Sequence, residues 1–294
     1  MGIDQGKGLI TKILGGFYYV EIKGETIECR ARGLFRKDKI KPLVGDYCQI
    51  RLTKEDPTKG YVEKICARKN ESIRPPVANI DQMIVVFSIR DPDINLRLLD
   101  KFLIQNEMNK IDSTICINKI DYEKDDALEL KRIYEKAGYR VMLTSAEIPD
   151  TLEDLKQVLK DRLSAFSGPS GVGKSTLLNK IDIELNLKTG DISDKSKRGK
   201  HTTRHVELFK LNSGGWVVDT AGFSTLDLNK VTKDNLKHYF LEFKCGTQCR
   251  FSNCNHMSEP DCQIKKQVND DKISTVRYNS YKELYAILQA GGEI

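Results

Sequence analysis

The sequence predicts a multidomain chain: an N-terminal all-β, OB-like barrel, a central α/β domain, and a mostly helical C-terminal domain stapled by a metal. Three observations predict it. Short β-branched and aromatic runs separated by turn residues fill positions 8–66. From Gln82 onward strands alternate with helices, and after Val231 that alternation stops and cysteines cluster with a histidine. The boundaries expected are 1–68 for the barrel, 69–80 for a linker, 81–230 for the α/β domain and 231–294 for the C-terminal domain. A chain of 294 residues has room for these parts, and 39% hydrophobic with 31% charged residues suits a real core under a polar surface. No run of 18 apolar residues is present, and Met1–Lys7 fits neither a signal peptide nor a myristoylation pattern. A cytoplasmic monomer with no membrane partner is expected.

In the barrel region, Leu9–Leu14, Tyr18–Ile22, Thr26–Ala31, Tyr47–Leu52 and Tyr61–Ile65 read as strands. Gly15-Gly16, Lys23-Gly24, Gly45-Asp46 and Pro57–Gly60 separate them as turns. Five short strands suit a small closed barrel, OB-like or SH3-like, and an OB barrel would add a surface for nucleic acid. Charge points the same way. Residues 1–80 hold 16 Lys and Arg against 10 Asp and Glu, while the remainder holds 32 of each, so the whole net charge of +6 lies in the first part. A solvated basic face explains that excess as well as contact with a phosphate backbone does. Lys69–Ile80, with Arg74-Pro75-Pro76, reads as the linker.

Gln82–Ile89 is a continuous apolar run, as expected of a strand buried on both faces. Helical spacing over Asn95–Lys110, Ala127–Ala137 and Leu152–Leu163 alternates with strands Ser113–Ile117, Arg140–Thr144 and Leu163–Ser167. A helix Lys174–Ile183 and strands Val206–Leu211 and Trp216–Val218 complete a three-layer α/β pattern. The polar stretch Asn186–His205 has no periodicity and reads as a loop.

Motifs fall at the ends of these strands. Gly168-Pro169-Ser170-Gly171-Val172-Gly173-Lys174-Ser175-Thr176 follows a strand and opens a helix, the context of a P-loop. Its glycines let backbone N–H groups turn inward on phosphates, Lys174 reaches the β- and γ-phosphates, and Ser175 holds Mg²⁺. Asn118-Lys119-Ile120-Asp121 sharpens the nucleotide to GTP or GDP. The Asp121 carboxylate accepts hydrogen bonds from the guanine ring N–H and exocyclic amine, whereas adenine would leave it unpaired. Asn118 can bridge to the purine edge, and the Lys119 stem can lie across the base. Ser145 and Ala146, after Thr144, are placed to offer backbone N–H groups to guanine O6. Asp219-Thr220-Ala221-Gly222 would hold Mg²⁺ through Asp219 and touch the γ-phosphate with the Gly222 N–H. Thr202 or Thr203, in Gly199-Lys200-His201-Thr202-Thr203-Arg204, would complete the Mg²⁺ shell.

Phe223 stands after Gly222, where many GTPases have a water-orienting Gln, and Phe cannot orient water. His201 is the candidate to do so, with His205 the alternative; a solvated loop histidine is the plainer account of either. The order of the motifs is itself informative. The base-reading motif precedes the P-loop, so the central domain reads as a circularly permuted GTPase domain.

The chain has eight cysteines. Cys29, Cys48, Cys66 and Cys116 are isolated in apolar stretches and read as small buried hydrophobes. Cys249, Cys254, His256 and Cys262 lie within fourteen residues, the ligand set and compactness of one structural, tetrahedral Zn²⁺ site with no open position. Cys245 is a spare that could replace Cys249.

Taken together, the order NKID, TSA, GPSGVGKS, GKHTTRH, DTAGF and the run CRFSNCNHMSEPDC followed by Arg277-Tyr278-x-Ser280-Tyr281 resemble the bacterial ribosome small subunit-dependent GTPase A family. Val44-Gly45-Asp46 is similar to that family's OB barrel, and the match spans essentially the whole chain. The resemblance implies an RNA-binding OB fold, a permuted GTPase domain and a zinc-binding domain. It also implies binding to the 30S subunit and its rRNA, with 30S-stimulated GTP hydrolysis late in subunit maturation. A hydrophobic residue replacing the catalytic Gln, as at Phe223, and a loop histidine matching His201 belong to the same pattern. Two departures stand out: DTAG where DTPG is usual, and GKHTTRH where GRHTTT is commoner. The competing readings are a GTP-dependent switch on another RNA or translation factor, and an RNA-binding scaffold whose nucleotide site is structural. The intact Lys174, Ser175 and Asp219 argue against the scaffold.

Overall fold

The computed structural model describes residues 5–31, 41–72, 75–185, 206–218, 226–244 and 248–294. Contacts gather the described residues into two compact units. One holds those up to 82 with 157–166 and 206–218; the other holds 83–156, 167–185 and 226–294.

Strands β1 (Gln5–Leu14), β2 (Phe17–Ile22), β3 (Glu25–Ala31), β4 (Tyr47–Leu52) and β5 (Lys59–Ile65) close into a barrel in the order β1-β2-β3-β5-β4. β1 pairs antiparallel with both β2 and β4, and β3 pairs parallel with β5, which is OB-type closure. Alternate residues turn inward, so Ile10, Val20, Ile27, Cys29, Cys48, Ile50, Val62 and Ile65 fill the interior. Cys29, Cys48 and Cys116 are the buried hydrophobes expected, and Cys66 is only half-buried. β1 starts four residues earlier than its apolar run because Gly8 lets it pass close to β2. A Cβ there would lie 2.5 Å from the Val20 and Ile22 side chains.

The segment expected as a plain linker has structure of its own. Strands β6 (Glu71–Ser72) and β7 (Val77–Ala78) pair antiparallel, and Val77, Ala78 and Ile80 are fully buried. Gly45 explains the fit: its φ is +87° and a Cβ would stand 2.1 Å from the Ala78 carbonyl oxygen. Beside it, Arg68 forks onto the buried Asp46, Nε to Oδ1 at 2.8 Å and Nη2 to Oδ2 at 2.9 Å. The two prolines thus stand beside a strand that is tied back to the barrel.

The α/β elements are β8 (Gln82–Ser88), α1 (Leu96–Met108), β9 (Asp112–Asn118), α2 (Lys124–Lys136), β10 (Arg140–Leu143), α3 (Asp150–Leu159), β11 (Leu163–Ser167), α4 (Lys174–Ile181), β12 (Leu208–Lys210) and β13 (Trp216–Val218). The six strands form one sheet, ordered β10-β9-β8-β11-β13-β12. β10 with β9 and β11 with β13 are parallel, while β12 returns antiparallel at the edge. All seven residues of β8 are buried, as its apolar run requires. Helix α3 stops at Leu159, short of its predicted end, because Asp161 adopts a left-handed φ of +56° and Leu163 already donates to Asp81 Oδ2 at 2.8 Å.

C-terminal residues form two 3-10 turns, Leu236–Tyr239 and Leu241–Lys244, then α5 (Gln263–Asn269) and α6 (Thr275–Gln289). Their core, with Leu236, Phe240, Tyr281 and Leu284, also takes in Ile104 of α1. A charged cluster lies at the same place. Arg277 on α6 is 1% exposed; it bonds Glu242 through Nε at 2.8 Å, and its Nη1 donates to Asp100 on α1. The Tyr134 hydroxyl of α2 donates to Asp100 Oδ1 at 2.9 Å, and the guanidinium lies 4.6 Å from the Phe240 ring centroid. Contacts therefore do not set residues 231–294 apart from 83–156; both belong to the same compact unit.

Candidate nucleotide and metal sites

The phosphate loop takes its shape from three glycines. Gly168, Gly171 and Gly173 have φ of +127°, +80° and +94°, values that side chains strongly disfavour. At Gly168 a Cβ would lie 2.0 Å from the Val86 carbonyl oxygen, so the loop can leave β11 against β8 only with glycine there. Gly173 is the N-cap of α4, which begins at Lys174, so Lys174, Ser175 and Thr176 sit in the first turn at the helix's positive end. Lys174 Nζ donates to the Gly168 and Pro169 carbonyls at 2.8 and 2.6 Å. Burial pushes its ammonium down to about 8. Phosphate oxygens would restore the charge that burial disfavours, so the lysine is suited to an anionic ligand.

Asn118 ends β9 and is 2% exposed. Its Nδ2 donates to the Val172 carbonyl at 2.8 Å, and a Cβ on Gly173 would fall 2.5 Å from that same nitrogen. Asn118 Oδ1 accepts from Thr144 Oγ1 at 3.1 Å, and Cys116 Sγ lies 3.1 Å from that hydroxyl. Thus Thr144, Asn118 and Val172 form a buried chain from the loop after β10 to the phosphate loop. Lys119 has a left-handed φ of +60°, and its Nζ bonds the Asp91 carbonyl. Ile120 is buried, and Asp121 is exposed where the loop opens to solvent.

Ser145 departs from its expected role. Its N–H donates to Thr151 Oγ1 at 3.0 Å, so it is turned toward α3. Its hydroxyl instead donates to Asp121 Oδ1, orienting the carboxylate. Sequence reasoning missed Thr151 and Asp91, which support Ser145 from the start of α3 and Lys119 from the turn after β8; neither stands in a motif. It also missed the Asp100–Arg277–Glu242 cluster, although an acidic residue among the buried apolar positions Leu99, Phe102 and Leu103 of α1 was a usable signal. His201, Thr202, Thr203, His205, Asp219, Gly222, Phe223 and Cys245 lie outside the described residues.

The second site is the cysteine cluster. Ligand atoms of Cys249, Cys254, His256 and Cys262 lie within 4.8 Å of one another. His256 Nδ1 stands 3.6, 3.5 and 3.4 Å from the sulfurs of Cys249, Cys254 and Cys262, and Cys249 Sγ stands 3.9 Å from Cys262 Sγ. Metal–sulfur bonds of ~2.3 Å and metal–nitrogen bonds of ~2.0 Å arranged tetrahedrally require edges of roughly 3.5–3.8 Å. The residues therefore fit a four-coordinate metal ion. Burial, with Lys237 adding to it, pushes His256 down to about 4, so the imidazole is neutral and able to ligate. Burial and neighbouring sulfurs push the Cys254 thiol up to about 12, so a metal must displace its proton. Helix α6 supports the loop from behind: Tyr278 and Tyr281 donate to the carbonyls of His256 and Asn255, each at 2.6 Å.

A strand–loop–helix phosphate cradle, bonded to a base-reading loop that comes before it in the chain, defines a circularly permuted P-loop GTPase. The comparisons agree. The RsgA N-terminal domain model matches residues 7–62 and the RsgA GTPase model matches residues 65–229. The chain is 50% identical over 280 residues to the small ribosomal subunit biogenesis GTPase RsgA of Alkaliphilus metalliredigens, covering 95% of this chain and 96% of that one. It is 48% identical over 284 residues to the protein of the same description from Caldanaerobacter subterraneus, covering 96% and 95%. Among solved structures it superposes on YjeQ from Thermotoga maritima with a TM-score of 0.84 at 37% identity, covering 97% of this chain and 99% of that one. For YloQ, described as a circularly permuted GTPase, the TM-score is 0.82 at 37% identity, covering 99% and 97%. The chain belongs to the RsgA GTPase family, and it is a GTP-hydrolysing enzyme.

Proposed function

We propose that this GTPase is an assembly factor that binds the 30S ribosomal subunit through rRNA, acts late in its maturation and turns over GTP faster when bound to it. The observation that carries the reading is full-length similarity to GTPases described as serving small ribosomal subunit biogenesis. The OB-type barrel supports an RNA partner, since residues 1–80, which include it, hold the whole excess of positive charge. No helix among the described residues is long and apolar enough to cross a membrane, and a cytoplasmic monomer fits the reading. The parts are 1–68 for RNA binding, 69–80 as connector, 81–230 for GTP hydrolysis and 231–294 for the metal.

In this reading Asp121, oriented by Ser145, accepts from the guanine edge, while Asn118, Lys119, Ile120 and Ala146 shape the base pocket. Residues 168–176 cradle the phosphates, and the Gly222 N–H meets the γ-phosphate. Ser175, Asp219 and Thr202 or Thr203 would hold Mg²⁺, which neutralises phosphate charge when bound. His201 orients the attacking water in place of the Gln that Phe223 replaces. Cys249, Cys254, His256 and Cys262 hold one structural Zn²⁺, since three thiolates with one imidazole suit that ion. The test is GTP turnover of the full chain with and without purified 30S subunits. Stimulation supports the reading, and turnover indifferent to 30S at saturating concentration rejects it.

A further inference from the structure

The hairpin β12–β13 occupies a particular place in the sequence. Leu208 pairs with Val218, so the first and last residues of the hairpin lie side by side at its open end. Just before that end stand His201–Thr203, and just after it stands Asp219. In the sequence, therefore, one short hairpin joins the two segments proposed for the metal and the water.

Two attachments hold it. At its turn, a Cβ on Gly215 would lie 2.4 Å from the Leu159 carbonyl oxygen, and Trp216 N–H donates to the Arg162 carbonyl at 2.8 Å. At its open end the barrel takes hold. Glu207 forms an antiparallel bridge with Lys12 of β1, next to the bulge that interrupts β1 between Ile10 and Lys12. Lys12 Nζ meets Glu207 Oε1 at 2.9 Å, and Lys210 Nζ meets Glu21 Oε1 of β2 at 3.3 Å. The two pairs have opposite sense, a barrel lysine to a hairpin glutamate and a barrel glutamate to a hairpin lysine. That arrangement sets register as well as attraction, at the edge strand of the sheet.

We propose that Lys12 and Glu21 are positioning residues for 30S-stimulated GTP hydrolysis alone: they clamp the hairpin that joins the two proposed catalytic segments in the chain, so that a load on the barrel changes turnover and not nucleotide affinity. The proposal rests on the ribosomal reading above, because the load it invokes is the 30S subunit.

The test is charge reversal in the full chain, K12E and E207K singly and together. The double variant keeps the wild-type net charge and restores the pair in reverse. Turnover is measured at saturating 30S subunits, alongside basal turnover, affinity for a fluorescent GDP analogue and co-sedimentation with 30S. Each single reversal is expected to cut stimulated turnover at least several-fold while basal turnover and GDP affinity stay within about twofold, and the double reversal is expected to recover most of the loss. Undiminished stimulation in both single variants overturns the proposal. So does a deficit that more 30S abolishes, or one that the double variant fails to repair. If 30S leaves the wild type unmoved, the ribosomal reading fails first. The clamp is then decided by amide exchange in β12, which the single reversals must raise and the double must restore.

Discussion

The Asn118 side-chain amide donates to the Val172 backbone carbonyl at 2.8 Å, joining the base-reading loop to the phosphate loop although the first precedes the second by 54 positions. The amide is buried, and Asn118→Ala leaves a buried carbonyl without its donor, at a cost of about 1–3 kcal/mol. Guanine nucleotide affinity is expected to fall roughly 10- to 100-fold. Titration with a fluorescent GDP analogue checks it, and an unchanged Kd would show that the two loops hold their places independently.

Asp121 is exposed and tethered by the Ser145 hydroxyl. Exchanging its carboxylate for an amide replaces one acceptor by a donor. Asp121→Asn is expected to weaken GDP binding and favour xanthosine diphosphate, which presents an acceptor where guanine has its amine. Competition between the two nucleotides reads the switch directly; retained preference for GDP rules out Asp121 as the base reader.

His201→Ala is expected to lower GTP turnover by about 10²-fold, with nucleotide affinity nearly unchanged, as for a residue acting only on the attacking water. Single-turnover hydrolysis with a parallel binding titration separates the two effects. If turnover persists, His205→Ala becomes the variant to make.

The metal site predicts a pH dependence. In the metal-free fold Cys254 stays protonated far above neutral pH, so metal uptake releases protons and affinity rises with pH. Chelator competition at pH 6.5, 7.5 and 8.5 should show tighter binding at each step. Cys254→Ser should lose the metal and lower the thermal midpoint; a flat pH profile would mean that the thiols are not the ligands.

Arg277 is paired with Asp100 and Glu242, all three buried. Arg277→Met strands two carboxylates and is expected to destabilise the fold by about 3–5 kcal/mol. Replacing all three by apolar residues of similar size should recover much of that loss. Urea denaturation of both variants tests the pair of statements, and equal instability in both would assign the cost to packing and not to charge.

The strands of the barrel, the alternation of the α/β domain and the motif loops were legible in the sequence because each leaves a local mark: period two, period 3.6, or glycine where φ turns positive. The cluster of Cys249, Cys254, His256 and Cys262 was legible for the same reason, being crowded into one short stretch. Arg277 was visible in the sequence, but its pairing with Asp100 and Glu242 was not, because those contacts span 177 and 35 positions. The supposed linker misled because prolines suggest slack chain, whereas Val77 and Ala78 are held by Gly45 through a close approach that no local pattern encodes. Ser145 misled because its N–H looked available until Thr151 was placed beside it.

The position of β8 has a consequence for how the protein is made. It leads the α/β domain in the chain, yet it lies inside the sheet, between β9 and β11. A ribosome adding about 5–20 residues per second delivers the barrel first and then β8 with the base-reading loop. The phosphate loop follows several seconds later. Through that interval the emerging chain holds the means to recognise guanine and nothing to grip its phosphates. The nascent protein thus has no grip on the phosphates of the cell's GTP until residue 176 is out.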